Sequence, residues 1–186
     1  MMVKNIFKVV LVYLVLTGVS YAQVKIVSYN LLGYPGSDTT TRNPYFRTVI
    51  SSLDPDILVV QEITSQSGVD GYLSNVMNVE RTDYSAGTFI NGPDTDNGIY
   101  FRNDIFIFLS NTAVRTALRD INEFKLVHIQ TKDTLRIYSV HLKASSGSAN
   151  EILRAAEVDS LRKITNALPQ GSDFIVCGDF NIYSSN

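Results

Sequence analysis

Short β-branched runs and helical repeats alternate along this chain. Residues Val24 to Tyr29 and Asp56 to Gln61 are apolar runs, the second almost uninterrupted, and this pattern predicts central strands covered on both faces. Between them, Phe46, Val49, Ile50 and Leu53 recur at helical spacing, which predicts a crossover helix over Arg42 to Leu53 starting near Asn43-Pro44. Four further runs follow, Gly98 to Phe101, Ile105 to Leu109, Phe124 to Gln130 and Leu135 to Leu142. Turn residues at Arg102-Asn103-Asp104 and Lys132-Asp133-Thr134 separate them, a cadence that predicts antiparallel pairing. Leu153, Ala156, Leu161, Ile164 and Leu168 then mark one side of a helix over Asn150 to Leu168, stopped by Pro169 and Gly171. A last buried strand is expected at Phe174 to Cys177. No internal repeat or long linker divides the chain, so the pattern predicts one strand-rich α/β domain.

The first 22 residues stand apart from this pattern. Lys4 and Lys8 precede the apolar run Val9 to Leu16, and Ser20-Tyr21-Ala22 places small residues where a signal peptidase reads. The run is shorter than the ~20 residues that span a bilayer, and no Cys follows it to carry a lipid. The expectation is a signal peptide over 1–22 and a secreted or periplasmic domain over 23–186, free of stable membrane association after cleavage.

Composition narrows the chemistry. The chain carries 16 Lys plus Arg against 18 Asp plus Glu, and removal of the leader takes away two Lys and no acid. A mildly acidic domain is a poor salt-driven binder of polyanions, although a divalent cation can supply positive charge locally. A single cysteine, Cys177, excludes an intramolecular disulfide framework and a cysteine-rich zinc site.

Polar residues close four of the apolar runs: Ser28-Tyr29-Asn30, Gln61-Glu62, His141-Leu142-Lys143 and Asp179-Phe180-Asn181. Open α/β sheets place sites at such strand ends. Two carboxylates, Glu62 and Asp179, together with the carboxamides Asn30 and Asn181, would make a hard, oxygen-rich site that prefers Mg²⁺ or Ca²⁺ over zinc. Lys143 lies two residues beyond His141 on the same strand face and could offer charge to a phosphate oxygen. Four residues nearby carry ordinary expectations instead: His128 as a surface or structural histidine, Arg154 as a surface partner of Glu151 and Glu157, Cys177 as a small apolar packer, and Tyr100 without a role.

The ordered segments Val27-Ser28-Tyr29-Asn30, Asp54 to Glu62, Ser139 to Ala144 and Gly178-Asp179-Phe180-Asn181 resemble the endonuclease/exonuclease/phosphatase (DNase I-like) superfamily over nearly all of the chain after the leader. The resemblance implies a four-layer α/β/β/α sandwich and a metal-dependent phosphoric ester hydrolase, with a nuclease-like phosphodiesterase the first reading. It implies that Glu62 and Asn30 hold the metal, which would be Mg²⁺, or alternatively Ca²⁺ or Mn²⁺. Asp179 and Asn181 would orient the attacking water and contact the scissile phosphate, and His141 would face that phosphate. Lys143 remains a candidate substrate-binding residue. The implied partner is a phosphate ester, nucleic acid included, with no obligate protein partner.

Complete members of that superfamily add further strands and a Ser-Asp-His-like motif whose histidine is the general base. Here the sequence stops five residues beyond Asn181 and contains two histidines in all. The expectation is a C-terminally incomplete copy of the domain, arising from a truncated reading frame or an incomplete assembly, or alternatively a shorter protein by design. The alternatives it leaves open are a noncatalytic remnant and, in full-length form, a sphingomyelinase-like lipid phosphodiesterase. An inositol 5-phosphatase is disfavoured, because Cys177 precedes Gly178 and Ile182-Tyr183 follow Asn181.

Overall fold

The computed structural model describes residues 23–183, so the expected leader over 1–22 lies outside the described residues. In chain order the elements are β1 (Ile26–Tyr34), α1 (Thr39–Leu53), β2 (Ile57–Ile63), α2 (Gln66–Tyr72) running into a π-helical turn at Leu73–Met77, β3 (Tyr84–Ala86), β4 (Asp96–Arg102), β5 (Phe106–Val114), β6 (Ile121–His128), β7 (Thr134–His141), α3 (Ser148–Asn166) and β8 (Phe174–Asp179). They form two four-stranded sheets, ordered β1-β2-β4-β3 and β5-β6-β7-β8.

Alternation along β2 shows why the sheets stack. Successive side chains of a strand face opposite ways, and Leu58 and Val60 enter a cluster with Phe46, Ile50, Tyr72 and Tyr100 on the α1 and α2 side. Ile57 and Val59 enter a second cluster with Phe106, Phe124, Leu126 and Ile137 of the other sheet. A third cluster joins Tyr138, Val140 and Ile121 to Leu161 of α3. The layers are therefore α1 and α2, first sheet, second sheet, α3, the expected four-layer sandwich. Edge-to-face rings stiffen the first interface: Tyr34 lies 5.1 Å from Tyr72 and 5.9 Å from Phe46. Each such pair contributes about 0.5–1.5 kcal/mol beyond its buried area.

Three expectations change. First, α1 begins at Thr39 rather than near Asn43-Pro44, because the Asp38 carbonyl accepts from the Thr41 and Arg42 N–H groups, both at 3.0 Å. Pro44 then lies inside the helix and costs it one backbone bond. Second, β1 is an edge strand of its sheet, with β2 and β4 central. Third, Arg102-Asn103-Asp104 does not close a hairpin. β4 pairs antiparallel with β2, and the chain then crosses to the second sheet, where β5, β6 and β7 pair antiparallel. Both crossovers carry helices: β1 to β2 through α1, and β7 to β8 through α3, each pair parallel. The segment from Gln66 to Met77 had no predicted element, its Gly68 and Gly71 weakening any helical pattern. The Ser65 hydroxyl accepts from the Gly68 N–H at 3.1 Å and caps α2.

A fourth expectation also changes: the strand over Phe174 to Cys177 is not buried, because β8 is the outer strand of the second sheet, paired on one edge only, and its Phe174 and Ile175 are exposed. It carries Asp179 at its end, opposite His141 in register.

Candidate active site

The four polar strand ends converge. Asn30, the last residue of β1 before its register with β2 slips, donates from Nδ2 to Glu62 Oε1 at 3.0 Å and to Asp179 Oδ2 at 3.1 Å. One amide thus touches two carboxylates 32 and 149 residues away in sequence. His141 Nε2 lies 3.7 Å from Glu62 Oε1. Asn181 Nδ2 donates to the Leu142 carbonyl at 2.9 Å, and the Asn181 N–H donates to Asp179 Oδ1 at 3.0 Å. Five of the six residues predicted for the site, Asn30, Glu62, His141, Asp179 and Asn181, are brought together by these contacts; Lys143 follows on the chain, but its ammonium bonds the Ala144 carbonyl and none of the five.

Strained backbone aims these groups. Glu62 has φ of 58° and is the extra residue where the β2 to β4 register slips between Gln61 and Ile63. The bulge turns Glu62 out of the strict alternation of β2. Leu32 and Asn181, both at φ of 50°, share this left-handed conformation beside the site. Each costs on the order of 1–3 kcal/mol, a strain that clusters at functional sites.

A polar seam, exposed at Ser28 and buried from Gln61 to Asn122, underlies the strand ends. Ser28 Oγ donates to Gln61 Oε1 (3.3 Å), Gln61 Nε2 to Ser139 Oγ (3.1 Å), Ser139 Oγ to Asn97 Oδ1 (3.0 Å), and Asn97 Nδ2 to Asn122 Oδ1 (2.9 Å). The donors run head to tail across both sheets, so each amide orientation is determined by the next. This seam locks β1, β2 and β4 against β6 and β7 directly beneath Glu62 and His141. Asn97, Asn122 and Ser139 were not singled out from the sequence. Asn97 and Asn122 lie just ahead of the runs predicted from Gly98 and Phe124, and only Ser139 interrupts an apolar run, so the pattern carries little signal for any of them.

The charge balance suits a hard cation. Among the described residues, neither Glu62 nor Asp179 has a Lys or Arg salt-bridge partner; what faces them is the Asn30 amide and His141. Glu62 and Asn30 fit a divalent ion of the Mg²⁺ type by donor chemistry. No group of three or more His, Cys, Asp or Glu side chains stands as a ready metal cage among the described residues. Asn30 presents Nδ2 to Glu62 and Asp179, and its Oδ1 accepts from the Leu32 N–H at 2.9 Å, which leaves one lone pair on that oxygen for a ligand.

His141 is buried, and burial, followed by the neighbouring Arg119 guanidinium, lowers its pKa below the ordinary 6.5 despite the opposing pull of Glu62 and Asp179. A base with a depressed folded pKa contributes stability that is complete above its unfolded value and is lost as pH falls below it, because the unfolded chain takes up the proton first. Urea unfolding between pH 8 and 5 should therefore show a steeper loss for the wild type than for His141→Gln below pH 6.5. Parallel curves would contradict the assignment.

Two residues behave differently from expectation. Arg154 is not a surface partner of Glu151 or Glu157; it is buried and donates from Nη1 to the carbonyls of Lys143 and Ser145, both at 2.8 Å. Lys143 gives its Nζ to the Ala144 carbonyl at 2.9 Å and its backbone N–H to Glu157 at 2.8 Å. A cation missed by sequence reasoning, Arg119, donates to the same Leu142 carbonyl as Asn181, at 3.3 Å, and pairs with Asp94 at 2.8 Å. His128 is structural as expected, edge-on to Phe106 and accepting from the Thr131 N–H. Cys177 packs partly buried, its thiol pushed up to about 11 by burial.

Comparison with known proteins places this geometry. The zebrafish (D. rerio) protein TDP2, in a structure complexed with single-strand DNA product, superposes with a TM-score of 0.65 at 18% identity over 87% of this chain and 62% of that one. A mannosyl-6-phosphatase of Bacteroides thetaiotaomicron gives 0.63 at 17% identity over 86% and 66%. The human Nocturnin catalytic domain with bound sulfate gives 0.63 at 23% identity over 86% and 64%. The chain spans about two thirds of the length of these structures, and the likeness shows a shared fold. No curated protein matches the sequence. The model of the Endonuclease/Exonuclease/phosphatase family matches residues 27–186, from the first strand through the last polar strand end, and the chain belongs to that family.

Proposed function

We propose that this protein is a secreted or periplasmic, divalent-metal-dependent phosphoesterase, with a nuclease-like phosphodiesterase the favoured subclass. The observation that carries the reading is the Asn30 amide joined to both Glu62 and Asp179, which gathers the family's separate segments at one point. Mg²⁺ held at Glu62 and Asn30 would supply a Lewis acid for the phosphate charge. The protein's own groups do the rest. Asp179 orients a water for in-line attack at phosphorus; the water oxygen bonds to phosphorus as the opposite P–O bond breaks, and the proton the water loses passes through solvent to the departing oxygen. Asn181 donates a hydrogen bond to a phosphoryl oxygen. Neutral His141 faces the phosphate, while Arg119 and Lys143 place positive charge beside the Leu142 carbonyl and the loop after β7. Support for a nucleic-acid ester comes from the fold-mate solved with a single-strand DNA product. The leader-like pattern over 1–22 supports export.

The test is Mg²⁺-dependent hydrolysis of bis-p-nitrophenyl phosphate, single-stranded DNA, RNA and sphingomyelin by the wild-type chain and by Asp179→Ala. Removing one preorganised group that acts on the transition state costs about 10²–10³-fold, so any metal-dependent turnover should fall by that factor or more in Asp179→Ala. Turnover that survives both Asp179→Ala and Glu62→Gln would remove the assigned site. Preference for sphingomyelin over the nucleic acids would overturn the nuclease-like subclass.

A further inference from the structure

Asn181 is held at both ends of its amide. Its Nδ2 donates to the Leu142 carbonyl at 2.9 Å, and the Tyr183 hydroxyl donates to its Oδ1 at 3.0 Å. That hydroxyl in turn accepts from the Ser145 N–H at 3.0 Å. A peptide N–H can only donate and a carbonyl can only accept, so the chain has one direction: Ser145 N–H to Tyr183 oxygen, Tyr183 O–H to Asn181 Oδ1, Asn181 Nδ2–H to Leu142 oxygen. Turning the amide over would set Oδ1 against the Leu142 carbonyl oxygen and leave the phenol proton without its acceptor. The amide is therefore oriented, and the group it has left to offer is its second Nδ2 proton, a donor suited to an anionic oxygen.

The support for this relay is itself braced. Ser145 has φ of 81°, a conformation side chains rarely adopt. Arg154, 8% exposed, holds that turn through its bonds to the Lys143 and Ser145 carbonyls. The same guanidinium lies 5.7 Å from the centre of the Tyr183 ring. Tyr183 is thus seated by a buried cation on α3 while its hydroxyl bridges the loop after β7 and the end of β8.

We propose that Tyr183 is a positioning residue, whose hydroxyl sets the Asn181 amide to donate toward the phosphoryl group. The proposal deepens the phosphoesterase reading and rests on it. Tyr183→Phe removes the bridging oxygen and keeps the ring over Arg154, so it isolates the relay from packing.

Two readouts separate the proposal from the reading beneath it. In the ¹⁵N-labelled full chain, the Asn181 side-chain amide signals should move toward free-amide shifts and exchange faster in Tyr183→Phe. Identical signals in the two proteins would overturn the proposal. With Mg²⁺ and inorganic phosphate as the probe, calorimetry should show binding about three- to ten-fold weaker in Tyr183→Phe, the usual effect of one hydrogen bond, and no further weakening when Tyr183→Phe is added to Asn181→Ala. Equal weakening in both backgrounds would overturn the proposal by showing that Tyr183 acts independently of Asn181. Absence of Mg²⁺-dependent phosphate binding in the wild type would overturn the phosphoesterase reading instead, leaving the amide signals to decide the relay.

Discussion

Glu62→Gln is expected to weaken Mg²⁺ binding by more than the 10- to 100-fold that loss of an outer-shell partner costs a metal site, with the fold unchanged. The substitution keeps an Oε1 to accept the 3.0 Å bond from Asn30, and it keeps the length that fits the bulge at φ of 58°. What it removes is the formal charge. A hard cation bound through oxygen draws most of its affinity from ionised carboxylates, and no Lys or Arg pairs with Glu62 among the described residues to make that charge dispensable. Calorimetry with Mg²⁺, Ca²⁺ and Mn²⁺, paired with urea unfolding, reads both halves of the expectation. Equal affinity in the two proteins would remove Glu62 as a ligand, and a large drop in stability would mean that its role is structural.

Gly178→Ala should have the largest effect on the fold. Gly178 has φ of 135°, and a Cβ there would lie 2.0 Å from the Val140 carbonyl oxygen and 2.8 Å from the Val140 nitrogen. Those atoms are backbone of the paired strand, with Val140 opposite Gly178 in register, so no side-chain rotation relieves the clash. Backbone strain and overpacking together cost roughly 2–6 kcal/mol. The strand that must move carries Asp179, and Asn181 follows it. The proposed metal-dependent activity and the bond from Leu142 N–H to Asp179 O, 2.9 Å long, should therefore be lost together, the latter seen as faster exchange of the Leu142 amide. Gly171→Ala is the control: it has φ of 82° with nothing within 4 Å, so it carries only the conformational cost of about 1 kcal/mol. Equal destabilisation by the two variants would show that the close approach of β7 and β8 is not what selects glycine at 178.

Much of this molecule is readable from its sequence because the determining forces are local. Uninterrupted apolar character in Ile57 to Val60 requires cover on both faces, and β2 does enter two separate clusters. Helical spacing over Leu153, Leu161 and Ile164 locates α3 within two residues of its bounds but not its buried face: Leu153 and Ile164 are exposed, while Arg154 and Glu157 are buried beside Leu161. Strand ends closing in Asn30, Glu62, His141 and Asp179 mark where polar groups converge, and the ordered segments around them suffice for the family. Misreadings arose where one pattern serves two arrangements. Apolar runs joined by short turns read as hairpins, yet β4 and β5 belong to different sheets, because a local turn signal does not reveal which edge the next strand will pair with.

What the sequence by itself determined, then, is the set of elements, the residue types at their ends and the family to which they belong, since these follow from periodicity and from short segments of adjacent residues. Tertiary structure alone decided the partners. Only packing the two sheets brings Asn30 within reach of a carboxylate 149 residues away, closes the polar seam from Ser28 to Asn122, and turns Arg154 from an apparent surface charge into a buried brace for the loop after β7. The physical reason is that a hydrogen bond is specified by distance and direction in space. Residue type records only the capacity to donate or accept, and the fold supplies the distance and direction that turn capacity into a site.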